Sequence, residues 1–220
     1  MHSKNWAAIK VSKALLIGHD PRLQNSETIA EYALFADYFF QSAHKNHADK
    51  RKYGLAASAF NLIIHLTNGR IRPEQVYITN LCNKALPASP KNRTVLIPEE
   101  KAVEGLQNIR LILANHPTIK YVFPMSLQVN YWLQKLGFYT PNKSFIEDSE
   151  PKAAGLMSTP PYYHPKKQRT FLMICGNQYE VIGSDQIVIP VLHVKNFPLK
   201  GNFMAYSECY DRIQSFFEAE

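Results

Sequence analysis

Nothing in this 220-residue chain approaches the roughly 18 consecutive apolar residues that a membrane-spanning helix needs, so no such helix is expected and no membrane partner. Met1 to Lys13 is too polar for the apolar segment of a secretory signal, and the expected location is cytoplasmic. Cysteine is scarce. Cys82, Cys175 and Cys209 lie far apart, which leaves neither a disulfide framework nor a C-x-x-C metal knuckle, and they read as buried thiols. There is no internal repeat and no low-complexity tract. Acidic residues are outnumbered, 18 Asp and Glu against 25 Lys and Arg, and the net charge of +7 suits a polyanionic partner as well as any basic protein.

What is present fits one folded unit. Hydrophobic residues at 45% and charged residues at 20% exclude the low-hydrophobicity signature of disorder, and the length supports one well-buried core, so a single domain over 1–220 is expected. Two stretches concentrate positive charge, His44 to Lys52 and Tyr162 to Arg169, the second interleaving aromatics with cations. Either also reads as solvated surface.

Apolar periodicity orders the chain. Lys13 to Gly18 is a short apolar run closed by glycine, the pattern of a parallel strand buried on both faces. Helical spacing follows over Glu27 to Ala43 and again over Gly54 to Leu66, the latter stopped by Asn68-Gly69. Gln75 to Leu81 is β-branched and aromatic, a second strand. Pro98-Glu99-Glu100 opens a helix whose apolar stripe runs to Leu113, Ile119 to Met125 is the third strand, and Leu127 to Leu136 a helix ended by Gly137. From Tyr139 to Asp185 the pattern becomes an irregular insertion, in which Thr170 to Cys175 and Gln178 to Ile182 flank Gly176-Asn177 as a hairpin. Gln186 to Val194 supplies the last strand and Phe203 to the end a closing amphipathic helix. The predicted class is α/β: three layers, α/β/α, around a central, mainly parallel four-stranded sheet plus the inserted β-hairpin.

In open α/β sheets ligands bind beyond the carboxyl ends of the strands. Three polar residues fall there: Asp20 just past the first strand, Asn80 near the end of the second and His193 near the end of the last. A carboxylate, an amide and an imidazole on one rim would bind and activate a heterocycle. Each also has a plainer use: Asp20 in an Asx turn before Pro21, Asn80 as a bond to the loop backbone, His193 as a satisfied core histidine.

The chain resembles the uracil-DNA glycosylase superfamily. That family opens with a strand followed by Gly-Gln-Asp-Pro-Tyr-His and then Ala-x-Gly-Leu-x-Phe-Ser; here stand Gly18-His19-Asp20-Pro21-Arg22-Leu23 and Ala30-Glu31-Tyr32-Ala33-Leu34-Phe35-Ala36. Its second strand ends in asparagine, as does Val76-Tyr77-Ile78-Thr79-Asn80, and its His-Pro-Ser-Pro-Leu loop corresponds to His193-Val194-Lys195-Asn196-Phe197-Pro198-Leu199. Arg22 stands where the family has tyrosine, Tyr32 where it has glycine, and His193 lacks the following Pro-Ser. The family's iron-sulfur branches use four cysteines, so with three scattered ones no metal and no cofactor is expected.

The resemblance implies a monomeric DNA-repair enzyme that excises uracil or a related damaged base. Asp20 would favour the cationic sugar and position water, and His193 would donate a hydrogen bond to the base O2 as negative charge develops there. Asn80 would accept from uracil N3-H and donate to O4, Phe35 would stack on the flipped ring, and backbone amides near His19 would help hold it. Phe197 or Leu199 would fill the gap in the duplex, with Lys195 and Arg22 as the accompanying cations toward DNA. Two other readings stay open: a non-catalytic nucleic-acid-binding member whose pocket Arg22 and Tyr32 have closed, and a hydrolase of a small nucleoside-like substrate.

Overall fold

The computed structural model describes residues 11–19, 50–83, 86, 97–140 and 171–220. The chain is an α/β protein with a five-stranded, mostly parallel sheet. Strand β1 (Ala14–Gly18) pairs in parallel with β2 (Val76–Asn80) on one side and β3 (Tyr121–Pro124) on the other. Beyond β3 lie β5 (Ile187–Val188), parallel to it, and β4 (Tyr179–Glu180), antiparallel to β5, giving the order β2-β1-β3-β5-β4. Ala14, Leu15, Leu16 and Ile17 are fully buried, so both faces of β1 are covered, and this is why it reads as an uninterrupted apolar run.

Helix α1 (Lys50–Leu66) packs Ala56, Ala59, Phe60, Leu62, Ile63 and Leu66 inward at helical spacing. It begins a turn earlier than Gly54 and stops as expected, with Asn68 and Gly69 both at positive φ and Gly69 N-H donating to the Ile64 carbonyl. Helix α2 (Glu99–Asn115) has Pro98 as its N-cap, and α3 (Ser126–Lys135) leaves β3 after one residue. Helix α4 (Ser207–Ala219) follows a 3-10 segment, Gly201–Tyr206. Glu220, just past α4, meets Lys120 and Tyr121 at the beginning of β3, so α4 runs against the strands and its first turn points toward their carboxyl ends. Among the described residues no helix is long and apolar enough to cross a membrane.

The hairpin differs from the expected one. Residues 171–174 form a helical turn, because Phe171, Ile174 and Cys175 are buried while Met173 is half-exposed, a spacing of three and four rather than two. The partner of β4 is instead β5, across a turn at Gly183 (φ +82). Among the described residues the sheet therefore has five strands and not four, the fifth being the antiparallel β4. The last strand is also shorter than Gln186 to Val194: Pro190 has no N-H to give, although Ile189 and Val191 still bond to Val122 and Pro124. The expected helix over Glu27 to Ala43 lies outside the described residues.

Candidate functional site

The strand order fixes where a site can form. β1 connects to β2 on one side while the chain later crosses to β3 on the other, so the crevice of this sheet opens between the carboxyl ends of β1 and β3. Gly18 and His19 leave β1 there, and Met125 and Ser126 leave β3. Backbone bonds hold this rim together: Leu81 N-H donates to Gly18 O (2.8 Å), Cys82 N-H to His19 O (3.0 Å), Met125 N-H to Ile17 O (2.9 Å) and Ser126 N-H to Val191 O (3.0 Å). Asn80 flanks the crevice from β2, and His193 follows β5 on the opposite side of β1 and β3.

Asn80 is the most constrained of the predicted residues. It is 1% exposed, and its Oδ1 is buried with no hydrogen-bond partner among the described residues. The carboxamide lies over Gly18: a Cβ there would stand 2.4 Å from Oδ1 and 3.5 Å from Met125 Cε. Glycine at the end of β1 is thus what lets the amide lie across the crevice. An orphaned amide oxygen at this depth costs about 1–3 kcal/mol, which a ligand N-H would recover.

His193 is not within a strand. It is the N-cap of a 3-10 turn, Val194–Asn196, where Nδ1 accepts from Lys195 N-H at 3.1 Å. That bond fixes the neutral ring with its proton on Nε2, so the imidazole presents a donor at Nε2. Lys195 is exposed. Phe197 is half-buried with its ring 5.3 Å from that of His65, and Leu199 is half-buried against the core. The exposed apolar side chains of the same region are Phe203 and Met204, beside exposed Lys200, none of which the sequence singled out. Asp20, Arg22, Tyr32 and Phe35 lie outside the described residues.

One further residue enters the site. Ser126, the first residue of α3, has φ +76, and its Oγ is buried without a hydrogen-bond partner among the described residues. The junction is braced from below: Asn130 Nδ2 donates to Pro124 O (3.0 Å) and Ser126 O (2.8 Å), while Tyr139 O-H donates to Asn130 Oδ1 and accepts from Gln134 Nε2 (2.9 Å). A serine between an apolar strand and a helix was the available sequence signal; its positive φ was not. Separately, a cavity of about 700 Å³ lined by Thr140 and residues 178–185 lies beside the β4–β5 turn, at the amino edge of β5 and away from this rim. No group of three or more metal-ligating side chains occurs among the described residues.

Comparison with models of known protein families gives no match, and comparison with curated proteins gives none either.

Proposed function

We propose that the chain is a DNA glycosylase of the uracil-DNA glycosylase type, hydrolysing the N-glycosidic bond of uracil or a related damaged base, on a three-layer α/β/α domain. The observation that carries this reading is the buried, unpartnered Oδ1 of Asn80 laid over Gly18 at the crevice. Uracil N3-H is the donor such an oxygen lacks, and the amide nitrogen of the same side chain answers O4. The Nε2 donor of His193 on the far side suits the base O2, where negative charge accumulates as the bond to the sugar breaks. The positive end of α3 and the Ser126 hydroxyl add to that stabilisation. Asp20, next after His19, would hold water and favour the cationic sugar, and Phe35 would stack on the base.

A DNA partner is supported by the exposed Lys195 and Lys200 beside exposed Phe203 and Met204, cations and apolar groups of the kind that grip a backbone and fill a gap in a duplex. The test is incubation with labelled single- and double-stranded oligonucleotides carrying uracil, hypoxanthine or xanthine, followed by alkaline cleavage of abasic sites. Cleavage of at least one substrate, slowed about 30- to 150-fold in Asn80→Ala, is the expected result. Retained binding with no cleavage of any substrate would instead favour the non-catalytic nucleic-acid-binding reading.

A further inference from the structure

Behind the rim, two of the three thiols are packed together. Cys175 closes the helical turn at 171–174 and Cys209 lies in the first turn of α4; both are buried. Their backbones approach closely through Gly176 (φ +77), where a Cβ would stand 2.3 Å from the Cys209 carbonyl oxygen and 2.9 Å from its Cα. With about 1.5 Å to its own Cα, Gly176 Cα lies within roughly 4.4 Å of Cys209 Cα, and Cys175 is the residue adjoining Gly176, so the two cysteines are packed neighbours. The Cys209 thiol donates to the Leu172 carbonyl at 3.7 Å, and it stands near enough to Cys175 for each thiol to shift the other's acidity.

Their surroundings divide the roles. Arg212 Nη2 donates to Cys209 Sγ at 3.5 Å and to the Cys175 carbonyl at 3.0 Å, and the arginine is exposed, so Cys209 lies one side chain beneath the surface. The neighbouring Cys175 side chain, and then the guanidinium of Arg212, bring the Cys209 thiol down to about 7 against the opposing effect of burial. Burial pushes Cys175 well up, and it keeps its proton. Glu208, the remaining charge facing the pair among the described residues, is exposed and works against the thiolate.

We propose that Cys175 and Cys209 are a redox-active dithiol that a peroxide converts reversibly to an intramolecular disulfide. The Cys209 thiolate attacks a peroxide oxygen, the O–O bond breaks, and Cys209 becomes a sulfenic acid as hydroxide or alkoxide leaves and takes a proton from water. The Cys175 sulfur then attacks the Cys209 sulfur, the S–OH bond breaks, and the departing hydroxyl leaves as water with the Cys175 proton. Two thiols are oxidised by two electrons, the peroxide is reduced, and a dithiol reductant reverses the step. Gly176 N-H donates to the Pro190 carbonyl at 2.9 Å, three residues before His193, so the disulfide would form behind the segment that carries the imidazole.

The experiment uses the full chain treated with hydrogen peroxide in an excess that oxidises free glutathione to completion, then denatured, alkylated with N-ethylmaleimide and weighed by mass spectrometry. The expected product carries one maleimide, on Cys82, weighs two hydrogens less before alkylation, gives a 175–209 cross-linked peptide, and returns to three maleimides after dithiothreitol. Cys82→Ser should still form the cross-link. Cys175→Ser should not, and its Cys209 should proceed to sulfinic acid. Three maleimides after peroxide, or sulfinic acid on Cys209 of the unaltered chain with Cys175 still alkylated, overturns the proposal. Should Cys175→Ser fail to fold, the peptide map of the unaltered chain decides alone.

Discussion

Gly18→Ala isolates the contact on which the proposed base recognition rests. The new Cβ would sit 2.4 Å from Asn80 Oδ1, whereas a carbon meets an amide oxygen comfortably only from about 3.3 Å, so the carboxamide must retreat by roughly 0.9 Å. Gly18 is not among the residues at positive φ, so alanine fits its backbone, and Met125 Cε at 3.5 Å is an ordinary contact. Folding should therefore change little, since alanine in a strand recovers about 0.5–1 kcal/mol of backbone entropy relative to glycine. Excision should change much more: misplacing a buried amide that reads a base costs about 2–3 kcal/mol in the barrier, or about 30- to 150-fold in rate. The assay is single-turnover cleavage of a uracil-containing strand, with a thermal melt of each protein. Because the effect is transmitted through Asn80, a double-mutant cycle is decisive: in an Asn80→Ala background the same glycine substitution should cost less than about twofold. A full loss persisting in that background, or an unchanged rate in the single variant, would refute the reasoning.

Three other outcomes are expected. Asp20→Asn should lower turnover at least about a hundredfold while leaving DNA affinity within a few-fold, measured by single-turnover kinetics and filter binding. Tyr139→Phe removes the hydroxyl that satisfies both Asn130 and Gln134 beneath Ser126, and denaturant titration should show a loss of about 1–3 kcal/mol; an unchanged midpoint would remove this network from the stability of the β3–α3 junction. DNA affinity should fall steeply as salt rises, and Lys195→Ala should make that slope shallower by about one unit, whereas a flat dependence would point to a small-molecule substrate.

The sequence revealed those parts of the fold that local pattern determines. β1 and β3 are continuous apolar runs because their side chains are buried, β2 is β-branched and aromatic up to Asn80, and α1 and α2 end and begin at Asn68-Gly69 and Pro98, where backbone chemistry leaves little choice. The run Phe171-Leu172-Met173-Ile174-Cys175 was ambiguous, since five mostly apolar residues serve a strand or a helical turn equally well, and only packing against α4 selects the latter. Strands as short as β4 leave no period to read. At the rim, residue types were legible while their relations were not. Asn80 was recognisable from its place at a strand end, but its contact with Gly18 depends on the register Gly18↔Asn80 between strands some sixty residues apart. Ser126 carries no signal of its positive φ, which arises from the bond of its N-H to Val191 and the bracing by Asn130.

Ser126 and His193 together bear on which chemistry the rim serves. A serine at positive φ between a strand and a helix shares its setting with serine nucleophiles, and taken alone it would favour acyl transfer. Such a serine needs an imidazole nitrogen without a proton to receive its own. In His193 the nitrogen without a proton is Nδ1, and it is engaged by Lys195 N-H; the other nitrogen carries the proton and can only give it. The ring is thus arranged as a donor, and a base in this site would have to come from elsewhere. A donor imidazole, the positive end of α3 and a buried hydroxyl all favour negative charge that develops on a bound group. On the proposed glycosylase reading that group is a leaving nucleobase rather than a covalent ester, and water activation then falls to Asp20 rather than to His193.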